Sequence, residues 1–231
     1  MTYTFPPPPV VSVPVIGSGA RFPVHRIYCV GRNYAEHAQE MGESAGEPPV
    51  FFLKPADAAL VVEAGQTGEF AYPGLTRELH HEVELVVGLG EGGRNIAADE
   101  ALRHVFGYAV GLDMTRRDLQ GQMKKRGGPW DISKGFDHAA PVGPITPAAR
   151  AGEITRAEIT LRVNGELRQH AALSQMIWSV PEIIARLSTA WELMPGDLIY
   201  TGTPAGVAAV RPGDALEGRI GGLETLHVRI V

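Results

Sequence analysis

Leu79-His80-His81-Glu82-Val83-Glu84-Leu85-Val86-Val87 is the stretch on which the reading of this chain turns. From Val83 onward the run is apolar and β-branched, which predicts a strand, and in a strand residues i and i+2 face the same side. Glu82 and Glu84 therefore sit side by side on one face of a strand hydrophobic enough to be buried. Two adjacent carboxylates repel each other and lose hydration on burial, so the arrangement calls for a cation or a shared proton. A third carboxylate, Asp113, closes a second apolar run, Tyr108-Ala109-Val110-Gly111-Leu112. Three oxygen donors without Cys support suit a hard ion such as Mg²⁺ or Mn²⁺. The ordinary alternative is a solvated edge strand with both glutamates facing water, and the apolar flanks weigh against it.

Working outward, 231 residues fit one domain, and 44% hydrophobic with 20% charged residues describes a globule with ample core material. The net charge of −5 is spread over both signs, with no basic block beyond Lys124-Lys125-Arg126, so nucleic acid is not an expected partner. The single cysteine, Cys29, lies in the apolar run Ile27-Tyr28-Cys29-Val30, where core packing is its expected role. A lone thiol fits a reducing cytosol. No apolar stretch approaches a membrane span and the amino terminus lacks a signal-peptide layout, so a cytoplasmic, membrane-free protein is expected.

Residues 5–9, Phe-Pro-Pro-Pro-Pro, predict a stiff polyproline arm, and residues 1–24 are taken as a Pro-rich lead-in to one domain over 25–231. Strand-like runs follow at 26–30, 50–53, 82–89, 107–112, 158–163, 197–201 and 223–231. Asn164-Gly165 between Ile159–Val163 and Glu166-Leu167-Arg168 predicts a two-residue hairpin, because both positions tolerate positive φ. Pro195-Gly196-Asp197 and Pro212-Gly213-Asp214 predict tight turns before strands. Helices are few: Ser179 caps one with Pro181 in its first turn and an apolar stripe of Val180, Ile183, Ile184, Leu187 and Trp191. Residues 33–41 and 115–125 are the other candidates. Strands with scattered helices and no βαβ alternation predict an α+β fold dominated by antiparallel sheet.

Several polar segments could carry chemistry. If residues 33–41 are helical, His37 and Glu40 stand at i,i+3, where the carboxylate orients the imidazole as a general base; an incidental surface pair is the alternative. Arg117 and Gln120 share a helical face beyond Asp113, placed either to hold an anionic substrate or to face solvent. Lys134 lies among apolar and turn residues, where a lysine near a metal stabilises negative charge, though surface lysines are commoner. Thr201-Gly202-Thr203-Pro204-Ala205-Gly206 offers hydroxyl and backbone N–H donors to a carboxylate and lacks the lysine and spacing of a P-loop.

Taken in order, Gly31-Arg32-Asn33-Tyr34-Ala35-Glu36-His37, Phe52-Leu53-Lys54-Pro55, His80-His81-Glu82-Val83-Glu84-Leu85, Gly111-Leu112-Asp113-Met114-Thr115-Arg116-Arg117-Asp118, Lys134-Gly135-Phe136, Val163-Asn164-Gly165-Glu166 and Thr201-Gly202-Thr203-Pro204 resemble the fumarylacetoacetate hydrolase family from about residue 25 to the carboxyl terminus. Within it the chain is similar to the short acylpyruvate-cleaving enzymes. The resemblance implies a distorted, mostly antiparallel β-roll with few peripheral helices, assembled as a homodimer. It implies Glu82, Glu84 and Asp113 as ligands of Mg²⁺ or Mn²⁺, His37 and Glu40 as a water-activating dyad on a short lid, and Lys134 beside the metal. Arg117, Gln120 and Thr203 are the implied substrate contacts. The implied activity is hydrolysis of a carbon–carbon bond in an acylpyruvate, foremost 3-fumarylpyruvate in a gentisate-type route of aromatic catabolism. Oxaloacetate decarboxylation and hydroxymuconate-type isomerisation or decarboxylation are the alternatives on the same scaffold, and a non-catalytic metal-binding protein is disfavoured by the retained dyad.

Overall fold

A computed structural model describes residues 2–40 and 48–231. The doubly apolar character of Leu85-Val86-Val87 is explained by position: the strand Val83–Leu89 is buried along its whole length in the middle of an eight-stranded sheet. The sheet runs Val50–Lys54, Ile27–Gly31, Leu198–Tyr200, Val83–Leu89, Val105–Leu112, Ala140–Val142 and Ala59–Val61, with Thr146–Pro147 also pairing onto Val105–Leu112. One face packs Val83, Leu85 and Val87 against a five-stranded sheet, ordered Glu166–Ala172, Glu158–Val163, Ala215–Ile220, Leu226–Ile230 and Thr67–Phe70. Ile159, Leu161, Leu216, Ile220 and Val228 supply that sheet's side of the core. The other face packs Val86, Ala109, Leu198 and Tyr200 with Ile27 and Cys29. Each fully buried Val, Leu or Ile contributes roughly 1.5–3 kcal/mol of transfer free energy. That apolar bulk lets one end of the central strand carry buried charge.

The expected strand runs are present, 158–163 with the expected bounds and the others with ends moved by at most three residues, and the class is α+β. Asn164 (φ 51°) and Gly165 (φ 83°) close the expected hairpin, with Val163 opposite Glu166. The helix Val180–Ala190 buries Val180, Ile183, Ile184 and Leu187; beyond the expected Ser179 cap, Glu182 reaches back to the Ser179 N–H at 2.8 Å in a capping box.

The sheets are mostly antiparallel, as expected, with three parallel pairings among the described residues: Leu198–Tyr200 with Ile27–Gly31, Ala140–Val142 with Ala59–Val61, and Leu226–Ile230 with Thr67–Phe70. Three expectations are corrected. The helix expected over 115–125 is Arg117–Arg126: Thr115 and Arg116 pair with His80 and Leu79, and this ladder overrides helix propensity. The expected lead-in over 1–24 is not all an arm: residues 2–10 are exposed, but Ser12–Pro14 and Arg21–Pro23 form a ribbon whose Val13 and Phe22 are buried in the core. The helix expected over 33–41 spans Ala35–Glu40, and residue 41 lies outside the described residues.

Candidate active site

Strand register assembles the acidic cluster. Val83–Leu89 pairs antiparallel with Val105–Leu112, Val83 opposite Leu112 and Glu84 opposite Gly111. One step further, Asp113 falls opposite Glu82, and its N–H donates to the Glu82 carbonyl at 2.8 Å. Cross-strand partners and i+2 neighbours share a face, so Glu82, Glu84 and Asp113 converge although 29 residues separate Glu84 from Asp113. All three are buried, and one oxygen of each lies within 4.8 Å of the others. The solvated-edge alternative is thereby excluded.

Three cations balance the triad unequally. Lys134, from the short helix Asp131–Lys134, donates to Glu82 Oε2 at 2.9 Å and Asp113 Oδ2 at 2.7 Å. Lys54 Nζ lies 2.8 Å from Asp113 Oδ1 as an ion pair, its directed hydrogen bonds going instead to the backbone carbonyls of Lys134 and Met114. Arg117 grips Glu82 Oε1 through Nη2, donates through Nη1 to Gln120 Oε1 at 2.6 Å, and through Nε to His80 Nδ1 at 3.4 Å. Glu84 is met by a neutral donor, the Gly202 N–H at 2.8 Å. The titration behaviour follows. Burial raises the Glu82 carboxyl, but Lys134 and Arg117 outweigh it and hold it well below the usual carboxylate range. Burial, then the charges of Asp113 and Glu82, push Glu84 well above that range. Burial lowers the Lys134 ammonium, but Asp113 and Glu82 outweigh it and keep it charged. A buried carboxylate destabilised by two neighbours, with hard oxygen donors converging on one point, fits a divalent cation.

The segment after Leu198–Tyr200 runs alongside the ligand strand. Thr201 Oγ1 donates to the Leu85 carbonyl at 2.9 Å and Thr203 Oγ1 to the Val83 carbonyl at 2.8 Å. Gly202 sits between them at φ 96°; a Cβ there would meet the Asn33 Cβ at 2.7 Å, so only glycine brings this N–H onto Glu84. The Thr203 hydroxyl proton is thus committed to the scaffold.

His37, on Ala35–Glu40, is buried and lines the same cleft as Glu82, Glu84, Asp113, Arg117, Gln120, Lys134 and Thr203. Its Nδ1 lies 3.5 Å from Glu40 Oε2, as the i,i+3 spacing predicts. Burial lowers the His37 pKa against the opposing charge of Glu82, so the imidazole is neutral at pH 7. Glu40 is half-exposed and is itself held by the Gly206 N–H, at 3.1 and 3.2 Å from its two oxygens. Every site residue expected from the sequence therefore lies on this cleft or, for Glu40, beside it.

Four other residues support the site without a role of their own in the sequence motifs. Lys54 anchors Asp113, and its clue is a lysine ending the apolar run Val50-Phe51-Phe52-Leu53. Asn33, fully buried, donates to the carbonyls of Thr201 (2.7 Å) and Trp178 (3.0 Å). His80 and Gln169 carry no local signal at all. Burial, then the Arg117 charge, lower His80 to about 4, leaving a neutral ring that accepts from Arg117.

A curled mixed sheet carrying three convergent carboxylates, a buried lysine and a neutral histidine on one cleft defines a family. Residues 26–231 match the family described as Fumarylacetoacetate (FAA) hydrolase C-terminal, and the chain belongs to it. The fold closely matches the crystal structure of fumarylpyruvate hydrolase from Pseudomonas aeruginosa in complex with Mn²⁺ and pyruvate: TM-score 0.98, 53% identity, 100% of this chain and 99% of that one covered. The chain is also 43% identical over 204 residues to the mitochondrial oxaloacetate tautomerase FAHD1 of Rattus norvegicus, covering 88% of this chain and 90% of the relative. To the mitochondrial oxaloacetate decarboxylase of Dictyostelium discoideum it is 40% identical over 200 residues, covering 87% and 90%. Among the described residues no helix is long and apolar enough to cross a membrane.

Proposed function

We propose that this chain hydrolyses a carbon–carbon bond in an acylpyruvate, foremost 3-fumarylpyruvate, giving fumarate and pyruvate. The observation that carries the reading is a buried His37, its Nδ1 facing Glu40, on the same cleft as the acidic triad and Lys134. The likeness to fumarylpyruvate hydrolase over the whole chain supports it.

Glu82, Glu84 and Asp113 would hold a divalent cation, which would supply Lewis acidity and positive charge at the pyruvoyl end of the substrate. Arg117, fixed on three sides by Glu82, Gln120 and His80, lends positive charge to a bound anion without having to be ordered first. Its hold on Gln120 Oε1 turns the Gln120 amide nitrogen free to donate. His37 Nδ1 faces Glu40, so Nε2 is the atom that takes a proton from water, and the Glu40 carboxylate stabilises the imidazolium that forms. The water oxygen adds to the distal acyl carbonyl, and the bond between that carbon and the pyruvate methylene breaks, leaving fumarate and the enolate of pyruvate. Lys134 meets the enolate charge, which develops only along the reaction. Return of the proton to the methylene carbon completes pyruvate.

The oxaloacetate-directed relatives favour a second reading, in which the same positive charges stabilise an enolate formed without water attack. Steady-state turnover of the Mg²⁺-loaded protein on fumarylpyruvate, acetylpyruvate and oxaloacetate, side by side, separates the two. The hydrolase reading predicts that fumarylpyruvate has the highest kcat/KM by orders of magnitude. Preference for oxaloacetate, with turnover surviving His37→Ala, would overturn it.

A further inference from the structure

Gln169 is 1% exposed, and both ends of its amide are fully engaged. Its Oε1 accepts the Val83 N–H at 3.1 Å and faces His81 Nδ1 at 2.9 Å. Its Nε2 donates to Thr203 Oγ1 and to the Pro204 carbonyl, both at 2.8 Å. A flipped amide would set NH₂ against the Val83 N–H and oxygen against the Pro204 carbonyl, so backbone groups determine its orientation. The same constraint settles His81: the nitrogen facing Oε1 carries the ring proton. The partners belong to two segments. Val83 stands between Glu82 and Glu84, and Thr203 follows Gly202, whose N–H holds Glu84.

The chain delivers this side chain by an irregularity in the other sheet. Along Glu166–Ala172, Gln169 opposes Leu161 but Leu167 opposes Arg162, so Arg168 is an extra residue in the ladder. In a regular strand Leu167 and Gln169 would share a face. Here Leu167 is 50% exposed while Gln169 is buried. Bulges re-aim side chains in this way beside functional sites.

We propose that Gln169 is a positioning residue, clamping the Glu82–Glu84 segment to the Gly202–Thr203 segment so that the acidic oxygens stand ready for a divalent cation. The inference rests on the reading of Glu82, Glu84 and Asp113 as cation ligands. A residue that orients ligands typically alters metal affinity or activity by about 10–100-fold when replaced.

Electron paramagnetic resonance of free Mn²⁺ measures affinity without reference to turnover, on wild type, Gln169→Met and Gln169→Glu, each with its thermal midpoint recorded. Gln169→Met keeps the volume and loses all four contacts; its Mn²⁺ affinity is expected to fall by about 10–100-fold while the protein stays folded. Gln169→Glu keeps the acceptor for Val83 and loses the donors to Thr203 and Pro204, so an intermediate loss is expected, and it carries the test alone should Gln169→Met not fold. Wild-type Mn²⁺ affinity in a folded variant overturns the proposal. A wild-type protein that binds no Mn²⁺ overturns the cation reading itself, and the inference with it.

Discussion

The strand Leu198–Tyr200 has a buried carboxylate at its start and the acidic triad beside its end, and the two are built on opposite terms. At the start, fully buried Asp197 is saturated: His25 Nδ1 lies at 2.8 Å, Arg26 donates at 3.2 and 3.3 Å, and the Met194 N–H donates at 2.8 Å. One charge meets a surplus of donors, and the result is a structural clasp with no capacity left for a ligand. At the end, Thr201, Gly202 and Thr203 run beside three carboxylates, of which Glu84 accepts from the Gly202 N–H while the like charges of Asp113 and Glu82 outweigh the pull of Lys134. Burial alone does not mark a functional carboxylate; what marks it is repulsion that the protein leaves for something else to relieve.

The contrast is sharpest when each end is damaged in turn. Glu84→Ala should abolish metal-dependent turnover, and the isosteric Glu84→Gln should leave the thermal midpoint of the metal-free protein unchanged or higher, since a self-repelling charge is removed. Normal turnover of Glu84→Ala in metal-replete buffer would contradict the ligand assignment. His37→Ala should bind Mn²⁺ as wild type does and lose about two to four orders of magnitude in kcat; a near-wild-type rate would remove the histidine from the mechanism. Asp197→Asn should do the reverse, lowering stability by about 2 kcal/mol, the scale of hydrogen bonds to a charged group. Its kcat should stay at the wild-type value, and denaturant unfolding beside a turnover assay checks both halves. Lost turnover in a folded Asp197→Asn would mean that the two ends are not independent.

The smallest effect is a pH dependence. His80 is held near pKa 4, against 6.5 in the open chain. Between those values the unfolded chain binds a proton at position 80 that the folded chain does not, so stability present above pH 6.5 is lost as pH falls toward 4. The thermal midpoint should drop across that window, and His80→Gln should flatten the slope. His37 obeys the same sign in activity: its lowered pKa keeps the base form below the ordinary histidine value of about 6.5, so the acid limb of kcat/KM should fall below that pH.

Local residue patterns carried the ligand set, because period-2 alternation places Glu82 and Glu84 on one face whatever the rest of the chain does. They carried the His37–Glu40 pair through helical i,i+3 spacing and the Asn164-Gly165 turn through residues that tolerate positive φ. What they could not carry was register. That Asp113 opposes Glu82 follows from pairing Val83 with Leu112, a relation between strands. Lys54 pairs at Ile27 yet sends its ammonium to Asp113. Gln169 is one polar residue among several in Glu-Leu-Arg-Gln-His, and only the bulge at Arg168 turns it inward. The three parallel pairings within the mostly antiparallel fold leave no local trace, because parallel neighbours are joined by long crossovers with no nearby turn to read.

The most direct test of the account is removal and return of metal. Protein stripped with EDTA should lose fumarylpyruvate hydrolysis and regain it on titration with Mg²⁺ or Mn²⁺, in proportion to the cation bound. Full activity in the stripped protein, or cation binding that survives loss of Glu84, would contradict it.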